Sequence, residues 1–204
     1  NYGDEDHDVY GLEYIPVEEN AFIVYFINRY GQRTICSDGY YAEKRYFNES
    51  KDLIKEYYFD RDLSPMPNTN GIYGLEYIKL DAQTDKLQYL GANSSPCEGY
   101  DGVYYKIIKK TPLLQSVSHY NAKNLPVDSH SGFFSFVKEM VYIDGNTHQL
   151  TKVLNTNNEL VDGRYKDETL DNQNRIIVSC WKDLQENVVQ LNSKTRPDDN
   201  APAS

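Results

Sequence analysis

The chain has 204 residues, with 21 Lys and Arg against 31 Asp and Glu, for a formal charge of -10. That length suits one compact domain or a few small repeats, and the acidity disfavours phosphate backbones and anionic membrane surfaces as partners. No apolar run approaches the roughly 18 residues of a membrane-spanning helix, while an apolar share of 39% is enough for an ordinary core.

The chain opens on Asn1 rather than Met, with no visible signal segment. Residues 1–8 contain the acidic run Asp4-Glu5-Asp6-His7-Asp8 and are expected to be disordered. Two glycosylation sequons follow, Asn48-Glu49-Ser50 and Asn93-Ser94-Ser95. Together with the missing Met and the acidity they point to a secreted protein.

Repetition is the main signal. Tyr10-Gly11-Leu12-Glu13-Tyr14-Ile15 recurs letter for letter as Tyr73-Gly74-Leu75-Glu76-Tyr77-Ile78, an offset of 63. The same offset carries Asp38-Gly39 onto Asp101-Gly102 and Glu76 onto Glu139. Three units follow from this, about 9–71, 72–132 and 133–192, with a polar tail at 193–204 expected to be disordered.

Each unit predicts four short strands of alternating character. The first places Glu13, Ile15 and Val17 on one face and Leu12 and Tyr14 on the other, and recurs around Glu76 and Glu139. The second covers Phe22–Ile27, Lys86–Leu90 or Gln149–Leu154. The third leaves an Asp-Gly turn, over Tyr40–Phe47, Val103–Lys110 or Arg164–Leu170, because Asp-Gly accepts positive φ. The fourth covers Leu53–Phe59, Leu113–Tyr120 or Ile176–Trp181. Glu49–Tyr58 and Lys182–Leu191 also carry helical patterns. The whole predicts an all-β domain over 9–192 with internal three-fold symmetry, closed like a β-trefoil or β-prism. A single lipocalin-like barrel with a short helix near the C-terminus is the alternative.

Signals for catalysis are sparse. His7, His119, His130 and His148 show no metal-ligand spacing, and neither a P-loop nor a G-x-S-x-G elbow occurs. Asp128-Ser129-His130 collects the residue types of a triad, but adjacency in sequence is not a triad. His119 reads as a structural histidine in a strand. Glu13, Glu76 and Glu139 recur on the predicted apolar face and are expected to pair with Lys or Arg. Cys36 and Cys97 each precede an Asp-Gly and are the candidates for a disulfide, leaving Cys180 over. No metal or cofactor is expected, and the chain is not expected to be an enzyme.

The excess is in tyrosine: 19 Tyr against 7 Phe and 1 Trp. Tyr offers a flat apolar body and a polar tip with little side-chain entropy to lose, which suits recognition. Tyr40, Tyr41, Tyr57, Tyr58, Tyr100, Tyr104, Tyr105, Tyr120 and Trp181 are the candidate binding residues. The function expected is a non-enzymatic extracellular protein that recognises a protein, favoured if basic, or a glycan. A carrier of a small apolar ligand and a loop-based protease inhibitor acting through Leu63–Thr69 are the alternatives.

Overall fold

The computed structural model describes residues 9–189. The acidic head 1–8 and the polar tail 193–204, expected to be disordered, lie outside the described residues. Thirteen strands form a single antiparallel sheet. In chain order they are β1 Gly11–Glu18, β2 Ala21–Ile27, β3 Arg33–Thr34, β4 Ala42–Phe47, β5 Leu53–Phe59, β6 Gly74–Lys79, β7 Thr84–Leu90, β8 Tyr105–Lys110, β9 Leu114–Tyr120, β10 Ser135–Ile143, β11 Asn146–Leu154, β12 Arg164–Leu170 and β13 Ile176–Asp183. Apart from the two-residue β3, which pairs with β2, each strand lies beside its sequence neighbours. Six hairpins are thus laid edge to edge.

The sheet is open. No ladder joins β13 to β1, so neither the trefoil-like or prism-like closure nor the lipocalin-like barrel forms. The reason lies in the connections. Each hairpin is followed by a compact loop that returns the chain to the adjacent position, and this step adds hairpins in a line.

Those loops reveal the true period. Positive-φ glycines recur at Gly39, Gly71, Gly102, Gly132 and Gly163, spaced about 31 residues apart. A second positive-φ position recurs at Gly31, Leu63, Ser94, Asn124, Asn158 and Glu186. The 63-residue identity in the sequence therefore spans two hairpins, and each predicted four-strand unit is two modules. The loop chemistry explains why it persists. Asn28, Asp60, Asn121, Asn155 and Asp183 each accept two backbone N–H groups with one side-chain oxygen, from the residues two and four further on. This Asx arrangement fixes a tight turn. The chain then bridges back onto its own hairpin at Phe59–Pro65, Leu90–Pro96, Tyr120–Pro126, Leu154–Leu160 and Lys182–Val188.

The core lies where these loops fold over the strands. Phe26, Tyr58 and Tyr89 occupy one equivalent row and are buried under Cys36, Tyr40, Ile72 and Val103 from the loops. His119 stands next in that row and is also buried. A one-layer sheet acquires a second layer in this way from loops, the one before β12 carrying a single 3-10 turn at Val161–Gly163. Among the described residues there is no α-helix. Glu49–Tyr58 is a turn leading into β5, and Lys182 to Val189 is the end of β13 followed by a turn and a bridge. Cross-strand pairing there satisfies the backbone groups that a helix would have used internally.

Cys36 and Cys97 are free thiols, as is Cys180. In the 31-residue register Cys36 matches Asn68 and Gly99, each of whose N–H groups bonds the carbonyl four residues on. Cys97 instead matches Met66 and Val127, whose N–H groups bond back to the preceding strand. The two cysteines occupy different places in their loops, and the expected bridge is absent. Burial pushes both thiols up.

Candidate functional site

The most unusual chemistry lies on β4 and β5. Along β4, Glu43 faces Tyr58 and Arg45 faces Glu56 across the ladder. Because alternate residues share a face, Glu43, Arg45, Glu56 and Tyr58 gather on one side of the sheet. Both glutamates are buried. Tyr40 donates its hydroxyl hydrogen to Glu43 Oε1 at 2.6 Å, and Arg45 Nε donates to Glu43 Oε2 at 2.5 Å. Tyr58 donates to Glu56 Oε1 at 2.9 Å. The Tyr40 and Tyr58 rings are stacked at 4.2 Å, and Arg45 Nη1 also donates to the Tyr14 hydroxyl.

One guanidinium faces two carboxylates, so the cluster carries an excess negative charge in a region shielded from water. Burial and the neighbouring Glu43 push the Glu56 carboxyl up to about 7, against the pull of hydrogen bonds from Tyr58 and Tyr77 and the charge of Arg45. The Tyr40 and Tyr58 hydroxyls are pushed far above their ordinary value, first by burial and then by the carboxylates they serve.

Tyr77 connects this cluster to the surface. It also lines a groove of about 420 Å³ on β4–β7, together with Leu53, Ile54, Asn48, Asp52 and the Lys79–Asp85 ion pair at 2.9 Å. Ligand sites typically hold about 300–1,000 Å³. The groove combines an apolar floor with carboxylate, amide and ammonium groups at its rim, and it can accept hydrogen bonds from a polar ligand and pack against its apolar side.

Most tyrosines named from the sequence turn out to hold the molecule together. Tyr40, Tyr58 and Tyr105 are buried. Tyr41, Tyr57, Tyr104, Tyr120 and Trp181 are half-buried. Their rings form edge or stacked contacts: Tyr41 with Tyr25, Tyr57 with Tyr46, Tyr105 with both Tyr104 and Tyr120, and Tyr120 with Phe134. Arg164 lies over the Trp181 ring. Tyr100 alone among them is largely exposed, at 82%, with its ring lying against Gly71. The structure brings Tyr40 and Tyr58 to the glutamate cluster and does not gather the rest into a patch.

The recurrent glutamates all pair: Glu13 with Arg33, Glu76 with Lys55 and Glu139 with Lys152. His119 is a core residue whose Nδ1 lies 3.3 Å from the Phe133 carbonyl. Asp128 Oδ1 and Ser129 Oγ are buried without hydrogen-bond partners, so no relay joins them to the exposed His130. The Leu63–Thr69 loop is pinned by N–H bonds from Met66 to Tyr58 and from Thr69 to Asp38. Of the sequon asparagines, Asn48 is spent on a turn, its Oδ1 accepting from the Asp52 N–H and its Nδ2 donating to Asp52. Asn93 uses Oδ1 to accept from the Ser95 N–H and hydroxyl. Among the described residues no His, Cys, Asp and Glu group has the arrangement of a metal site.

Sequence reasoning missed Glu43, Arg45, Glu56 and Tyr77. A signal for Glu56 was present at the shorter period, where it stands in the row of Val24, Leu87 and Val117. Glu43 carries none, because its row of Leu12, Leu75, Lys106, Phe136 and Lys166 is mixed. A carboxylate in a largely apolar row of a repeat protein is conspicuous only once the rows are aligned. No family model matches the chain, and comparisons with curated proteins and with solved structures return no match either.

Proposed function

We propose that this chain is a secreted, non-enzymatic binding protein whose ligand seats in the groove over β4–β7. The observation that carries this reading is the groove itself: about 420 Å³, floored by Tyr77, Ile54 and Leu53 and rimmed by Asn48, Asp52 and Asp85. Its chemistry suits a short glycan, whose hydroxyls donate to carboxylates and amide oxygens while an apolar face lies on the floor. The buried cluster behind Tyr77 gives that floor a hydrogen-bonded backing.

A cationic protein segment is the second reading, favoured by the charge of -10, which steers basic partners. A glycan array and a panel of basic peptides, each tested against wild type and against Tyr77→Ala and Asp85→Asn, separate the two. Glycan binding that is insensitive to salt and lost in Tyr77→Ala supports the first. Peptide binding that weakens steeply with salt and with Asp85→Asn supports the second. Silence on both, or binding unaffected by either change, refutes the groove as the site.

A further inference from the structure

The junctions between hairpins share one register. Opposite pairs recur as Tyr25–Ala42, Tyr57–Gly74, Gln88–Tyr105 and Ser118–Ser135. Four of the five strands that open a later hairpin are preceded by an aromatic residue whose N–H bonds inward: Tyr41 to Phe59, Tyr73 to Leu90, Tyr104 to Tyr120 and Phe134 to Leu154; β12 follows Gly163 instead. Tyr10 does the same to Ile27. At the internal junctions the carbonyl of that aromatic faces the preceding hairpin, where Tyr58, Tyr89 and His119 donate to Tyr73, Tyr104 and Phe134, and by the same alternation the N–H of Leu12 points away from its own hairpin. No described strand lies there.

Two observations indicate that this edge is built for a neighbour. Gly74 occupies the matching place in the copied Tyr-Gly-Leu-Glu-Tyr-Ile segment, and a Cβ there would stand 2.3 Å from the Glu56 carbonyl oxygen and 2.9 Å from the Tyr57 ring, both on the preceding hairpin. At Gly11 the nearest atom to such a Cβ is on Ile27, 3.9 Å away, within its own hairpin. Gly11 thus keeps the residue of the Gly74 junction with no junction present, while Ala42, Tyr105 and Ser135 show that this place also houses side chains. Second, both free edges carry apolar residues. Leu12, Tyr14, Ile15 and Val17 on β1 and Ile176, Ile177 and Val178 on β13 are all at least one-third exposed. Unpaired apolar edges are templates for strand addition.

We propose that β13 of one copy adds to β1 of a second copy in the register of the internal junctions, continuing the sheet from molecule to molecule. In that register Cys180 stands opposite Gly11, Val178 opposite Glu13, Ile177 opposite Tyr14 and Ile176 opposite Ile15. A second copy is the occupant because β13 closes its module as β5 and β9 close theirs: the Lys182–Val188 bridge repeats Phe59–Pro65 and Tyr120–Pro126. The head and tail are poorer candidates on composition, one being strongly acidic and the other containing Pro197 and Pro202. The contact is heterologous and does not close on itself, so it yields chains of increasing length.

The test uses the native cysteine. Opposed residues in an antiparallel ladder have Cα atoms about 4.5–5.5 Å apart, within disulfide reach. The full chain carrying Gly11→Cys, oxidised with copper phenanthroline, is expected to give a ladder of dimers and longer species on non-reducing gels, with Cys180 mapped in the intermolecular bridge. Adding Cys180→Ser should abolish that ladder. Sedimentation of the wild type should show concentration-dependent association, lost in Leu12→Pro, which removes an outward N–H of the edge. Val178→Lys restores the charge pairing that Lys55 makes with Glu76, and should shift association to about two- to fivefold lower concentration. Monomer at every concentration overturns the proposal. So does a bridge that persists with Cys180→Ser, which would mean that β1 edges pair with each other.

Discussion

Glu56 gives the sharpest test of the buried cluster. Its carboxyl is raised from 4.5 to about 7. The unfolded chain therefore ionises first, and between these values the native state holds more protons. Stability falls as pH rises through this window and levels off above about 7. At about 1.4 kcal/mol per tenfold change in proton affinity, the ionised native form bears a penalty of roughly 3 kcal/mol. Glu56→Gln keeps an oxygen to accept from Tyr58 and removes the buried charge. Urea unfolding at pH 5 and pH 8 measures the difference. The variant should gain up to about 3 kcal/mol over wild type at pH 8 and show little advantage at pH 5. Equal pH slopes in the two proteins would mean that the excess charge on Glu43 and Glu56 is solvated, and the argument from their burial would fail.

Burial first, and Lys106 second, hold His119 below its ordinary value, so its contribution is present above about pH 6.5 and is lost as pH falls. His119→Tyr, which continues the row of Tyr58 and Tyr89, should flatten the acid limb of the stability profile, by at most about 1.4 kcal/mol per pH unit. Gly74→Ala forces a Cβ against the Glu56 carbonyl and should cost about 1–3 kcal/mol in chemical denaturation, whereas Gly11→Ala in the same segment should stay within about 0.5 kcal/mol. Among the thiols, Cys36 is buried while Cys97 and Cys180 are partly exposed, so titration with a thiol reagent on the folded protein should modify Cys36 last; early loss of Cys36 would contradict its place under the loop.

Much of the fold was legible. The strands Leu53–Phe59 and Arg164–Leu170 fall where alternation placed them, and the Asp-Gly turns do adopt positive φ at Gly39, Gly102 and Gly163. The period was read at twice its length because the letters match best every second module. Tyr10, Tyr41, Tyr73 and Tyr104 recur at the shorter spacing, but their neighbours have diverged. Closure was inferred from the cost of exposed edges, and that cost does not say whether a sheet closes on itself or on another molecule. The tyrosines were read as a surface because adjacent rings must point to opposite faces. Here a layer of loops covers one of those faces, and tertiary packing of that kind leaves little mark on local pattern. The glutamate cluster depends on cross-strand register, which composition does not encode.

Among the described residues, substantial strand contacts run only between sheet neighbours, and that locality shapes how the chain comes apart. Cohesion becomes a string of nearest-neighbour couplings, as in other linear arrays. Denaturation need not be all-or-none. The terminal hairpins should fray at lower denaturant than the central ones, and amide exchange should rise stepwise toward both ends.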